Sequence, residues 1–277
     1  MPSSTAASTW IALGASAAFG AGDFSGGVAT KRDPVTRVVA LAHVLSLGLF
    51  ILLALATHEA RPAGRDLLWG ALSGVSGTVG LVALYRGLAL GPMGVVATTS
   101  AALGTALPVA LGVLLGDRPG PLQLFGMLLA LAGITLLSRS PGEGRGGFRL
   151  AVVAGLGFGL FFVFLGQTRE GAVFWPLVAA RVISASVMLV LALRSGTLRP
   201  TAPWPILASS VLDALGNLLF VLATQAGRLS TAGALTNLYP AFTTLLAFVV
   251  LRERLRLAQW VGLAMTAAAV PLIALQG

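Results

Sequence analysis

Cysteine is absent from the 277 residues, which excludes disulfides, thiolate metal sites and thiol nucleophiles. Charge is almost as scarce: Asp, Glu, Lys and Arg make up 10% of the chain against 56% for apolar side chains, whereas a soluble domain carries roughly 25% charge. No HExxH, GxSxG or GxxxxGK[ST] pattern occurs, so nothing points to zinc hydrolysis, a serine nucleophile or direct use of ATP. The expectation is a protein with no catalytic residue, no metal site and no cofactor, hence not an enzyme. The first residues, MPSSTAAST, lack the basic stretch of a signal peptide, so the first apolar run is expected to be retained.

Apolar runs are what the chain has in place of charge, and mean hydropathy is strongly positive. The 18 basic residues outnumber the nine acidic ones. In a soluble protein that excess would suggest a nucleic acid partner, but here the basic residues fall in short gaps between apolar runs and report membrane topology. Cutting wherever charge, Pro and Gly cluster leaves ten pieces, at 9–30, 36–57, 67–89, 94–115, 121–138, 149–168, 173–194, 205–226, 231–251 and 256–275. Each approaches the ~20 residues that cross ~30 Å of hydrocarbon. The fold class expected is an all-α polytopic membrane protein whose large partner is the lipid bilayer, with no nucleic acid.

One stretch occurs twice. Residues 114–136, LLGDRPGPLQLFGMLLALAGITL, slide without a gap onto 250–272, VLRERLRLAQWVGLAMTAAAVPL, pairing Asp117 with Glu253, Arg118 with Arg254, Gln123 with Gln259 and Gly126 with Gly262. Residues 41–57 likewise slide onto 179–195, with identities at Ala42, Val44, Ser46, Leu53, Ala54 and Leu55 and with His43 falling on Arg181. Two five-helix repeats follow, 1–140 and 141–277, joined through the hydrophilic gap RSPGEGRGGFR. An odd number of helices per repeat makes the second enter the membrane from the opposite side, so the repeats are inverted.

Charge counting orients the bundle. The odd-numbered gaps and their flanks hold twelve Lys and Arg, the even-numbered gaps five, and Arg181 lies inside a span. The positive-inside rule then puts both termini outside, in the periplasm of a multi-pass inner-membrane protein if the cell is bacterial.

The paired turn-plus-helix segments LGDRPGPLQLFGMLLALAGITLL and LRERLRLAQWVGLAMTAAAVPLI, the AFGAGDFSGG stretch and the paired second and seventh spans resemble EamA-type proteins. These are the ten-helix branch of the drug/metabolite transporter superfamily. The chain departs from that pattern by carrying Asp23 with no Trp beside Gly20, and His43 where many members have a basic residue. The resemblance implies export of amino acids or other small metabolites through a cavity between the halves, lined by the first, third, fourth, sixth, eighth and ninth spans.

Ionisable groups inside spans cost several kcal/mol unless paired or hydrated, so each is a functional candidate. Asp23 and Asp213 both sit roughly 12 Å from the cytoplasmic end of their spans at 1.5 Å per residue. They suit a substrate ammonium or a transported proton, or else hydrogen bonding to a Gly-rich neighbour. His43 could titrate or be satisfied by a carbonyl; Arg181 could attract a carboxylate, snorkel outward or pair with a neighbour. Asn217 lies one turn from Asp213 on the same face. Thr98 and Thr99 in the fourth span, with Asn237 and Tyr239 in the ninth, complete the candidate substrate contacts, the bland alternative being interhelical bonding. Pro108 and Pro240 break backbone pairing in their spans, freeing a carbonyl or shaping a kink.

The expected protein is thus a secondary exporter of small metabolites, amino acids first, rocking one inverted half against the other, with protons as candidate coupling ions and a monomer or homodimer as its assembly. Export of other metabolites or drugs is the alternative. A third reading rests on Gly20-Ala21-Gly22-Asp23, which spells the GxGD of intramembrane aspartyl proteases. The other Asp follows Leu212 rather than Tyr, and no Pro-Ala-Leu segment follows either.

Overall fold

In the computed structural model, residues 2–60, 62–90, 93–137, 147–194, 196, 198–250, 252, 256 and 257–274 are described. The described residues form helices and connecting turns, with no strand among them. In chain order the helices are α1 (Pro2–Thr30), α2 (Val35–Ala56), α3 (Gly64–Leu90), α4 (Met93–Leu114), α5 (Pro121–Leu137), α6 (Phe148–Leu165), α7 (Phe174–Arg194), α8 (Pro203–Ala226), α9 (Leu229–Thr236), α10 (Tyr239–Val250) and α11 (Leu257–Ala274). Among the described residues, five stretches are long and apolar enough to cross a bilayer, including α2, α7, α8 and the combined 229–250. A hydrocarbon solvent satisfies no backbone group, so apolar segments of this length close their hydrogen bonds internally as helix.

The ninth span is broken in two. Pro240 has no N–H to offer and occupies the first turn of α10, where none is needed. The end of α9 is closed instead by Asn237, whose backbone N–H and side-chain Nδ2 both donate to Gly233 O, at 3.0 and 2.9 Å. Pro108, by contrast, stays inside a continuous α4.

Packing follows the sequence repeat but crosses it. Equating α1 with α6, α2 with α7, α3 with α8, α4 with the α9–α10 pair and α5 with α11 maps each major contact onto another. Thus α1 on α8 corresponds to α6 on α3, α7 on α3 to α2 on α8, and α6 on α4 to α1 on α9 and α10, while α2–α7 and α5–α11 are each paired with themselves. Nearly all of the heaviest packing therefore joins one repeat to the other. The helices sort into two mixed groups, α1, α8, α9 and α10 on one side and α3, α4 and α6 on the other, linked by the α2–α7 and α5–α11 pairs. Motion of one whole repeat against the other, as anticipated from the chain order, would have to break that packing.

Small residues make these crossings close. A Cβ added to Gly157 in α6 would lie 2.6 Å from Gly80 Cα in α3, and one added to Gly22 in α1 would lie 3.3 Å from Asp213 N in α8. Such contacts let helix backbones approach where side chains would hold them apart.

The connecting turns are tied by side chains. On the face carrying the N-terminus, Glu59 accepts from Val173 N and Phe174 N at the start of α7, at 2.9 and 2.7 Å. Asp66 pairs with Arg169 at 2.7 Å, and Asp117 accepts from Ser230 N at 2.8 Å at the start of α9. On the opposite face, Asp33 accepts from Arg37 and from the backbone N–H groups of Thr201 and Ala202. Burial alone would raise its carboxyl pKa, but these three donors together hold it below the ordinary Asp range.

Candidate functional site

Asp23 lies on one stripe of α1 with Ala12, Ser16 and Phe19, at the three- and four-residue spacing that shares a helix face. Ala12 and Ser16 are fully buried, and Phe19 meets Phe162 of α6 edge-on, ring centroids 6.0 Å apart. That stripe therefore points across the bundle, whereas Trp10, 74% exposed, lies on the far side of the helix. Asp23 is exposed, and on a stripe that points across the bundle we read that exposure as facing a hollow between the helix groups.

Asp213 stands beside it on α8, where Gly22 lets the α1 backbone come close. Its carboxylate accepts from Arg181 of α7 in a tight ion pair. The Arg181 side chain is 7% exposed and that of Asp213 32%, so the guanidinium is sealed in while the carboxylate keeps one side toward the hollow. Arg181 enters from the opposite face of the membrane, and its long side chain closes the distance. Asn217, buried one turn along α8, donates Nδ2 to Asp213 O at 2.7 Å. His43 faces Arg181 across the α2–α7 pair closely enough for the two to interact electrostatically. Three buried polar atoms here have no hydrogen-bond partner: His43 Nδ1, Arg181 Nε and Asn217 Oδ1.

Of the remaining sequence candidates, Tyr239 is half-buried and meets Phe19 edge-on at 6.4 Å, while Asn237 is buried and engaged with Gly233. The side chains of Thr98 and Thr99 lie outside the described residues. The structure thus brings Asp23, Asp213, Asn217 and His43 into one region, with Tyr239 across α1.

Arg181, as the partner of Asp213, was not singled out by sequence reasoning. Its alignment with His43 in the repeat was the available signal, because residues equivalent by an internal two-fold meet where they lie near its axis.

The EamA-like transporter family model matches residues 7–139 and again 145–275. The chain belongs to this family. A solved crystal structure superimposes with a TM-score of 0.81 over 96% of this chain and 95% of its own, at 18% identity, a likeness of fold alone. No match was found among curated proteins. Membership in the EamA-like family makes the chain a multi-pass membrane transporter of the drug/metabolite type, built as two family repeats, and family members are transporters rather than enzymes.

Proposed function

We propose that the chain exports small metabolites, amino acids first among them, by alternating access. The observation that carries this is the membrane-depth cluster of two carboxylates against one guanidinium, Asp23 and Asp213 with Arg181, at the edge of a hollow. One negative charge is in excess there, and a substrate ammonium or a proton complements it. The ninth span is interrupted at Asn237 and Leu238, between α9 and α10. A broken helix at the midplane is a recurrent device for seating charged substrates.

The moving bodies in this reading are the mixed groups. Ties between them on the face of the N-terminus support a state closed on that side. Asp117 reaches Ser230 N, Arg228 donates to Arg118 O at 3.0 Å, and Gln225 Nε2 donates to Arg169 O and Ala172 O. Beneath them Phe162 fits between Phe19 and Phe220. With both termini in the periplasm, as the charge count favours, the hollow faces the cytoplasm and awaits substrate for export. A protease dyad is disfavoured, since two aspartates must share a proton and Asp213 is already committed to Arg181.

The test is counterflow of labelled amino acids into proteoliposomes, with and without a pH gradient. The expected result is saturable exchange that Asp213→Asn abolishes. Undiminished transport by that variant would remove the site from the reading.

A further inference from the structure

Helices α1 and α6 run antiparallel, because Ser8 near the start of α1 and Gly166 just past α6 both lie on the face where α8 ends and α9 begins. Their facing stripes touch at Phe19 and Phe162. One turn further from that face, the next residue on the α1 stripe is Asp23 and the next on the α6 stripe is Phe158. Phe158 is half-buried, its Cδ1 lies 3.1 Å from the position a Cβ on Gly80 would take, and its Cβ lies 3.7 Å from that on Gly104. It is therefore braced by α3 and α4, on the stripe of α6 whose Phe162 meets α1.

We propose that Phe158 determines specificity, by receiving the apolar part of a substrate whose ammonium is held by Asp23 and Asp213. The pairing follows from the antiparallel run of the two stripes: one turn beyond the Phe19–Phe162 contact, α1 carries a carboxylate and α6 a phenyl ring. A substrate lying between them carries a cationic end and an apolar end, and the space left by the ring sets the bulk that end can have. Gly80 and Gly104 place no side chain of their own beside the ring, so trimming Phe158 enlarges the hollow. Phe162, by contrast, is buried in the Phe19 and Phe220 contacts and belongs to the closure.

This inference rests on the proposed transport reading, and one experiment separates the two. Full-length protein in proteoliposomes is assayed by counterflow with labelled L-alanine, L-leucine and L-phenylalanine, comparing wild type with Phe158→Ala, Phe158→Leu and Phe158→Tyr. A pocket that gains or loses a few methylenes of space discriminates by about 10- to 200-fold. The expected result is that Phe158→Ala shifts the phenylalanine-to-alanine KM ratio at least tenfold toward the larger substrate, Phe158→Leu shifts it less, and Phe158→Tyr stays near wild type. If Phe158→Ala fails to fold, the Leu variant carries the comparison. A ratio unchanged within twofold in variants that still transport overturns the role of Phe158 and leaves the transport reading standing. Wild-type protein that carries none of the three overturns the transport reading and this inference with it.

Discussion

The Arg181–Asp213 pair should respond unequally to loss of its two members. Removing Asp213 as Leu strands a guanidinium that is 7% exposed and cannot shed its proton. Stranding a buried charge costs about 3–5 kcal/mol, and little solvent reaches this one to reduce the figure. Removing Arg181 as Met strands a carboxylate that is 32% exposed. That group can hydrate from the hollow or take up a proton, so the cost falls to about 1–2 kcal/mol after allowing for screening. The double variant removes both charges together and should lie within about 1 kcal/mol of wild type, because a buried pair seldom outperforms apolar residues of like volume. The cycle then yields a coupling of about 3–7 kcal/mol in magnitude. Reversible thermal or denaturant unfolding in detergent reads the four stabilities, with counterflow run on the same preparations. Transport should be lost in all three variants while the double variant regains stability, separating function from folding. Equal single costs, or additive ones, would refute the claim that this pair is desolvated on one side only.

Other outcomes follow from the packing and the turns. Because the chain has no cysteine, Asp23→Cys should react readily with a membrane-impermeant thiol reagent applied to the face opposite the termini, while Ser16→Cys, on the same stripe but fully buried, stays silent; equal labelling would place the stripe toward lipid. Gly157→Ala should cost about 1–3 kcal/mol through the clash with Gly80. Gly27→Ala, with nothing within 4 Å, should be near neutral or slightly stabilising in the same unfolding assay. Asp33 has a folded pKa below its unfolded value, so its contribution is complete above the unfolded pKa and lost as pH falls through the folded one. Wild type should therefore lose stability on acidification through the carboxylate range more steeply than Asp33→Asn, which forfeits about 2 kcal/mol at neutral pH; parallel pH profiles would count against the cap.

Much of the architecture is written in one-dimensional pattern. The apolar runs, the 136-residue register between Asp117 and Glu253 and Pro240 were each visible, and the broken ninth span sits at the Pro. The depth of Asp23 and Asp213 was also legible, since rise per residue converts position into height. Azimuth and neighbourhood were not. A Gly-rich helix such as α1 has no strong apolar stripe, so sequence alone does not say which face Asp23 occupies, and nothing local says that α7 lies beside α8. The ion pair of Arg181 with Asp213 and the contact of Phe19 with Phe162 needed the crossing of the repeats, a property of tertiary packing.

The interleaving also bears on how the chain is made. Ser8 donates its hydroxyl to Ala223 O, 215 residues later, and at roughly 5–20 residues per second the ribosome takes about 10–40 s to deliver that partner. Throughout that interval α1 resides in the bilayer with its glycine face uncovered and its acid without a neighbour. The first repeat cannot complete itself in isolation, and assembly is concluded only when the late-emerging helices thread back between the early ones.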